Sequence, residues 1–255
     1  MDVEDANEIR RITFDRPEVM NAFDLETATA LAEAVEATDP SSHDAIVVTG
    51  EGPAFSAGGD IQAMAERTEG PRESYERLQG TFGRLTEAML ECRVPTIARV
   101  NGDAVGAGLA VVGLCDFAYA IEDATFSCAF VRVGLIPDTG GTFLLPRLVG
   151  LRTAKRLAMT GEFFDAERAV TMGLIDGAVP DTDALDERID GLLETFSNRP
   201  SETIGLMKQA IHENLGREWR AASDYENLLQ VQAYTTDAHE EGVEAFLEGR
   251  EPEFD

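Results

Sequence analysis

Lysine is nearly missing from this chain. Only Lys155 and Lys208 occur among 255 residues, against 48 acidic residues and a formal net charge of −27. A surface so acidic repels polyphosphate backbones, which excludes nucleic acid as a partner. The acidic residues run along the whole chain and do not gather in one tail. That distribution suits a salt-rich cytoplasm, where the Debye length falls to about 3 Å at 1 M and like charges stop repelling one another. Long apolar runs are also missing. None approaches the roughly 20 residues of a membrane helix. The start, Met1-Asp2-Val3-Glu4-Asp5, lacks the basic residues and apolar core of a signal peptide, so a cytoplasmic protein with no membrane partner is expected.

Metal and nucleophile chemistry find little support. The three cysteines, Cys92, Cys115 and Cys128, form no ligand spacing and are expected as buried free thiols. The three histidines, His43, His212 and His239, are isolated in sequence, so no metal site is expected. No P-loop occurs, and Gly106-Ala107-Gly108 lacks the third glycine of a dinucleotide fingerprint, since Val111 stands there. Ser56 has no nearby histidine, and nothing suggests an activated thiolate at Cys115.

What is present is a pair of glycine-lined junctions. Ala54-Phe55-Ser56-Ala57-Gly58-Gly59-Asp60-Ile61 follows the apolar run 45–50, read as a buried strand, and leads into a helical pattern near Ile61. A strand turning through glycines into a helix leaves backbone N–H groups unpaired at the helix start, where negative charge is favoured. The device repeats: a strand over 94–100, the Asn101-Gly102 turn, then Gly106-Ala107-Gly108 opening an apolar helix. Two such junctions can each aim one N–H at one oxygen, as an oxyanion hole does, or can simply permit tight turns. A third glycine turn holds an acid, with Asp138 between Pro137 and Thr139-Gly140-Gly141. Taken alone, Asp138 is equally a turn or cap residue.

The remaining pattern is α/β. Ile9–Phe14 reads as a first strand with Ile12 and Phe14 on one face, and Asp24 as the cap of a helix carrying Leu25, Ala28, Leu31, Ala32 and Val35. Residues 66–72 read as a loop. Tyr75, Leu78, Phe82, Leu85 and Met89 form the apolar stripe of one long helix. Strands follow over 116–121 and within 125–133, then short helices after Gly150 and within 165–172. From about residue 183 the chain reads as successive helices, near 183–196, 201–215, 218–236 and 238–248, a helical extension suited to packing on a partner subunit. No internal repeat is visible.

Four stretches in order resemble the enoyl-CoA hydratase/isomerase (crotonase) superfamily. They are Arg16-Pro17-Glu18-Val19-Met20-Asn21-Ala22-Phe23, the 54–61 stretch, Asn101-Gly102 with Gly106 and Gly108, and Gly134-Leu135-Ile136-Pro137-Asp138 with Gly140-Gly141. The ending Glu241-Gly242-Val243-Glu244-Ala245-Phe246-Leu247-Glu248 with Arg250 also fits. The resemblance implies a crotonase-like spiral of ββα units over 1–196 carrying the CoA-ester site, and a helical trimerisation region over 197–255, in a homotrimer or dimer of trimers. It implies an acyl-CoA thioester substrate, with coenzyme A as part of the substrate and no separate cofactor.

Carried over position by position, the resemblance puts oxyanion donors on the N–H groups of Gly59 and Ala107. It puts CoA contacts on Ala22, Phe23, Ala57, Gly58, Gly59, Asp60, Ile61 and Gly106, and an acyl pocket on Phe130, Pro137 and the 66–80 region. Arg16 and, from a neighbouring subunit, Arg250 are the candidates for the CoA phosphates. The two glutamates of the family's hydratases fall on Ala110 and Phe130, neither of which can carry a proton. Asp138 remains, with apolar neighbours such as Phe130 and Ile136 expected to raise its pKa. The 134–147 pattern is most similar to the epoxyphenylacetyl-CoA isomerase branch. The implied activity is a double-bond or ring-epoxide isomerase with Asp138 as acid and base. A hydratase using Asp138 or another carboxylate such as Asp116, and a catalytically silent CoA-ester-binding protein, are the alternatives.

Overall fold

The structure is a computed structural model and describes residues 1–254. Its strands are β1 (Asp2–Ala6), β2 (Ile9–Phe14), β3 (Ala45–Gly50), β4 (Ala54–Ser56), β5 (Thr96–Val100), β6 (Asp103–Val105), β7 (Phe117–Ile121), β8 (Thr125–Ser127), β9 (Phe163–Asp165) and β10 (Gly177–Val179). The helices of the first half are α1 (Leu25–Glu36), α2 (Ile61–Ala65), α3 (Pro71–Leu78), α4 (Arg84–Glu91) and α5 (Ala107–Leu114). Those of the second half are α6 (Gly141–Val149), α7 (Leu151–Thr160), α8 (Ala166–Thr171), α9 (Thr182–Ser197), α10 (Ser201–Asn214), α11 (Trp219–Ala233) and α12 (Asp237–Glu248).

The chain winds as a spiral. β3, β5 and β7 lie side by side in a six-stranded sheet of order β1-β2-β3-β5-β7-β10, while their followers β4, β6 and β8 lie side by side in a four-stranded sheet closed by β9. Each turn thus places one strand in the large sheet and the next in the small one. The first two of these turns end in helices, α2 and α5, and the third ends in a 3-10 turn over Ala129–Val133. The repetition is structural, carried by dissimilar sequences, which is why no period shows in the residues.

Burial follows the strand period of two. In β3 every residue is buried, as a parallel strand covered on both faces should be. Ile46 and Val48 face the main core with Ile12, Phe14, Ala98 and Val100. Ala45 and Val47 face the opposite side, where Leu185, Ile189 and Phe196 of α9 cover them. The Asp24 carboxylate caps α1 by accepting the Thr27 N–H at 2.7 Å, an interaction worth about 1 kcal/mol.

Two expectations from the pattern change. The long helix is broken by a π turn over Gln79–Gly83, which shifts the helical phase, so Phe82, Leu85 and Met89 are buried while Tyr75 is 63% exposed and outside the stripe. The apolar run 125–133 is strand only as far as Ser127; Gly134, in the left-handed region at φ 72°, then caps the 3-10 turn, and the Leu135 N–H donates to the Phe130 carbonyl at 3.0 Å. The C-terminal helices stand close to where the pattern puts them.

The first helix of that extension, α10, is fastened to the core. Lys208 Nζ lies 2.6 Å from the Asp116 carboxylate and donates to the Val94 carbonyl at 3.0 Å, and the Ser201 hydroxyl donates to Asp44 at 2.6 Å. Beyond it, Trp219, Leu228, Val231, Phe246 and Leu247 of α11 and α12 are exposed. Among the described residues no helix is long and apolar enough to cross a membrane, and no cluster of side chains is arranged to hold a metal ion.

Candidate functional site

β4 and β6 pair in parallel, Ala54 with Asp103 and Ser56 with Ala104, so the two glycine junctions leave neighbouring strand ends together. They touch through their glycines. A Cβ on Gly58, whose φ is 93°, would stand 2.7 Å from the Val105 carbonyl oxygen, and one on Gly106 would stand 3.7 Å from the Gly58 Cα. Only glycine permits this approach at Gly58.

The amides of the first junction are nearly all spoken for. Ala57 N–H donates to the Met20 carbonyl at 2.9 Å, Gly58 N–H to the Ser56 hydroxyl at 3.1 Å, and Asp60 N–H to the Phe23 carbonyl at 2.8 Å. Among the described residues the Gly59 N–H alone in this run has no acceptor. Its direction is fixed from behind, because Phe23 N–H donates to the Gly58 carbonyl at 2.6 Å. In a trans peptide the N–H points opposite to the C=O, so the Gly59 N–H faces away from Phe23.

The second junction obeys the same rule. The Gly106 N–H donates to the Ser127 carbonyl at 2.9 Å, and the Gly106 carbonyl accepts the Ala110 N–H at 3.0 Å as the first turn of α5. Ala107 opens that helix, and its N–H points back out of the helix start with no acceptor among the described residues.

An apolar cleft begins here. Gly106, Leu109, Ala110, Phe130, Pro137, Gly140, Leu144 and Leu148 line it, so it runs from the Ala107 junction to the turn that carries Asp138. The expected second-acid positions, Ala110 and Phe130, are part of this apolar wall. No residue of the 66–80 region lines it; Glu66, Arg67, Glu69 and Glu73 line a separate hollow with Phe23 and Asp60, and Met64 of α2 lies against Gly59.

Asp138 presents surface to solvent, yet desolvation by the surrounding protein raises its pKa above the ordinary aspartate value, opposed by a hydrogen bond from Thr139 and by the charge of Arg67. A carboxyl recessed in a concavity can touch water and still be poorly solvated, and desolvation penalises its charged form. The Thr139 hydroxyl donates to Oδ1 at 3.1 Å, and the Asp138 carbonyl accepts the Gly141 N–H at 2.8 Å. Ile136, expected to desolvate this acid, is instead 76% exposed.

Several expected contact residues have other employment. The Phe23 ring is buried against Phe14, with centroids 4.9 Å apart, so only its backbone serves the site. Arg16 is clamped between Asp24 at 2.8 Å and Asp60 at 3.1 Å and donates to the Ala22 carbonyl, which leaves its charge neutralised within the chain. Asp60 caps α2 by accepting the Ala63 N–H at 3.0 Å; that bond and Arg16 keep its pKa low. Arg250 pairs with Glu241 and Glu248. Ala22 is buried, Ala57 is half-buried, and Ile61 is exposed beside the junction.

Asp116, the other carboxylate weighed, faces Lys208 and accepts from Thr96 N–H at 2.8 Å and the Thr96 hydroxyl at 2.9 Å. It is a fastening of the fold. The neighbouring Cys115 thiol is pushed far up by burial, which rules it out as a thiolate nucleophile near neutral pH. Two residues that support the site gave no signal of it in sequence, Ser56 under Gly58 and Thr139 on Asp138.

The family model described as enoyl-CoA hydratase/isomerase matches residues 4–255. A Rhodobacter capsulatus protein named "Probable enoyl-CoA hydratase" is 38% identical over 95% of this chain and 93% of its own. The 1,2-epoxyphenylacetyl-CoA isomerase of Escherichia coli is 34% identical over 96% of this chain and 94% of its own. A crystal structure of an enoyl-CoA hydratase from Mycobacterium smegmatis superposes with a TM-score of 0.90 at 32% identity, covering 99% of this chain and 97% of the other. Family match, relatives and spiral fold coincide: the chain belongs to the enoyl-CoA hydratase/isomerase family of the crotonase superfamily.

Proposed function

We propose that this enzyme is a CoA-ester isomerase that stabilises a thioester enolate between the Gly59 and Ala107 amides and moves a proton with Asp138. One observation carries the choice: the apolar cleft that starts at Gly106, beside the Ala107 junction, and reaches Pro137 and Gly140 on either side of Asp138 is walled by Ala110 and Phe130, where a water-adding site needs a second proton-handling group. In this mechanism the Asp138 carboxylate takes a proton from one carbon of the acyl chain. The bonding pair moves through the conjugated system to the thioester oxygen, which becomes the enolate held by the two N–H groups. The same carboxyl returns the proton two carbons along, and the double bond has migrated with no atom gained or lost. The amides act on charge that is present only in the transition state and intermediate, where binding accelerates reaction.

A carboxyl with a raised pKa suits a group that must serve as both base and acid. CoA enters as part of the substrate, and no separate cofactor takes part. The exposed apolar residues of α11 and α12 fit assembly as a trimer or a pair of trimers. The deciding experiment incubates the enzyme with a panel of enoyl- and epoxide-bearing acyl-CoA esters in ¹⁸O-labelled water and identifies products by mass spectrometry. Isomers without ¹⁸O, lost in Asp138→Asn while CoA-ester binding persists, are the expected result. Incorporated ¹⁸O, or full turnover by Asp138→Asn, overturns the proposal in favour of hydration or another acid.

A further inference from the structure

We infer that Ser56 is a positioning residue that holds both oxyanion amides in register; the inference rests on the oxyanion reading above. Ser56 is fully buried at the end of β4. Its hydroxyl donates to the Asn21 carbonyl at 2.8 Å and accepts the Gly58 N–H at 3.1 Å. The Gly58 amide has no other acceptor among the described residues, and Val105 blocks its glycine from the other side. Ser56 therefore sets the orientation of the peptide just before the one that carries the Gly59 N–H.

The same residue supports the second amide. A Cβ on Gly108 would fall 2.7 Å from the Ser56 carbonyl oxygen and 2.8 Å from its Cβ, so the first turn of α5 rests on Ser56 directly after Ala107. The anchor is itself rigid. Asn21, in the left-handed region at φ 55°, donates to the carbonyls of Ala54 at 2.8 Å and Glu51 at 2.9 Å and accepts the Arg16 N–H at 2.9 Å. The Ser56 hydroxyl thus ties the first junction to a fixed turn, while the carbonyl and Cβ of the same residue form the floor under the second.

The test reads the donors directly. A saturated acyl-CoA labelled with ¹³C at the thioester carbon is bound to the enzyme, and its carbonyl band is followed by isotope-edited infrared spectroscopy. In the wild type, two aligned donors shift the band to lower wavenumber than in free solution. In Ser56→Ala the band is expected to move back toward the free position, with kcat down about 10- to 100-fold and the dissociation constant nearly unchanged, as small misplacements of catalytic groups produce. Ser56→Cys, nearly isosteric and folded by the same packing, should give an intermediate band. A wild-type band in either variant overturns the role of Ser56. An unshifted band in the wild type overturns the oxyanion reading itself.

Discussion

Phe23 donates its backbone N–H to the Gly58 carbonyl at 2.6 Å, and that single bond turns the Gly59 N–H outward. At the second junction the α5 ladder does the same for Ala107. Both donors belong to the main chain, so they can be removed only by proline. Ala107 is the first residue of α5, the helical position where proline is favoured. Ala107→Pro should keep a near-native melting temperature while kcat falls by about 100-fold or more, the usual cost of losing one oxyanion donor. Steady-state kinetics beside a thermal melt checks it; unchanged kcat would remove Ala107 from the mechanism.

The raised pKa of Asp138 fixes the direction of two pH effects. In its proposed role as base Asp138 acts only when ionised, so the acid limb of kcat/KM should lie above the ordinary aspartate value of 3.8. Arg67 lowers this pKa, so Arg67→Gln should move the limb further toward neutral pH. For stability, the folded form binds this proton more tightly than the unfolded form. Asp138 therefore subtracts stability as pH rises from the unfolded value through the raised folded value. Asp138→Asn should melt higher than the wild type at neutral pH, the gap closing as pH falls; a gap that widens toward acid contradicts the raised pKa.

Much of this was legible in residues, and what was not has identifiable causes. Asp24, with its regularly spaced apolar followers, announced α1, and the glycine pairs announced the junctions. The strands β4, β6, β8, β9 and β10 have three residues each, too few for a period of two to register. β1 is wholly exposed, so no alternation marked it, and its hairpin turns through Asn7 and Glu8, both at positive φ, instead of through glycine. Phe23 reads as a ligand residue by position, but whether ring or backbone faces the site is a matter of tertiary packing. The same holds for Arg16, whose sequence does not foretell that Asp24 and Asp60 occupy it.

The pairing of Lys208 with Asp116 predicts a large stability effect far from the site. Lys208 is 6% exposed, and replacing it by Met would leave the Asp116 carboxylate without its counter-charge. Breaking one side of a buried pair costs about 3–5 kcal/mol. Urea denaturation of Lys208→Met should show a loss of that order. A double replacement that also removes Asp116 should recover part of it, and simple additivity would argue against coupling.

The excess of acidic residues predicts salt dependence. With a net charge of −27, self-repulsion opposes folding at low ionic strength. The melting temperature should rise steeply between dilute buffer and about 1 M KCl, where screening falls to about 3 Å. A flat profile would show that pairs such as Arg84 with Glu36 and Arg99 with Asp186 already offset the repulsion.

Glycine against glycine at Gly58 and Gly106 makes the two junctions one mechanical part, since neither strand end can drift without colliding with the other. The side chains of Ala110, Phe130 and Asp138 stand on separate segments around that part, and Ala110 serves it only through its main-chain N–H to the Gly106 carbonyl. Their identities are free to change while the amides stay put, so descent within such a lineage can rewrite which reaction is catalysed without rebuilding the place where it happens.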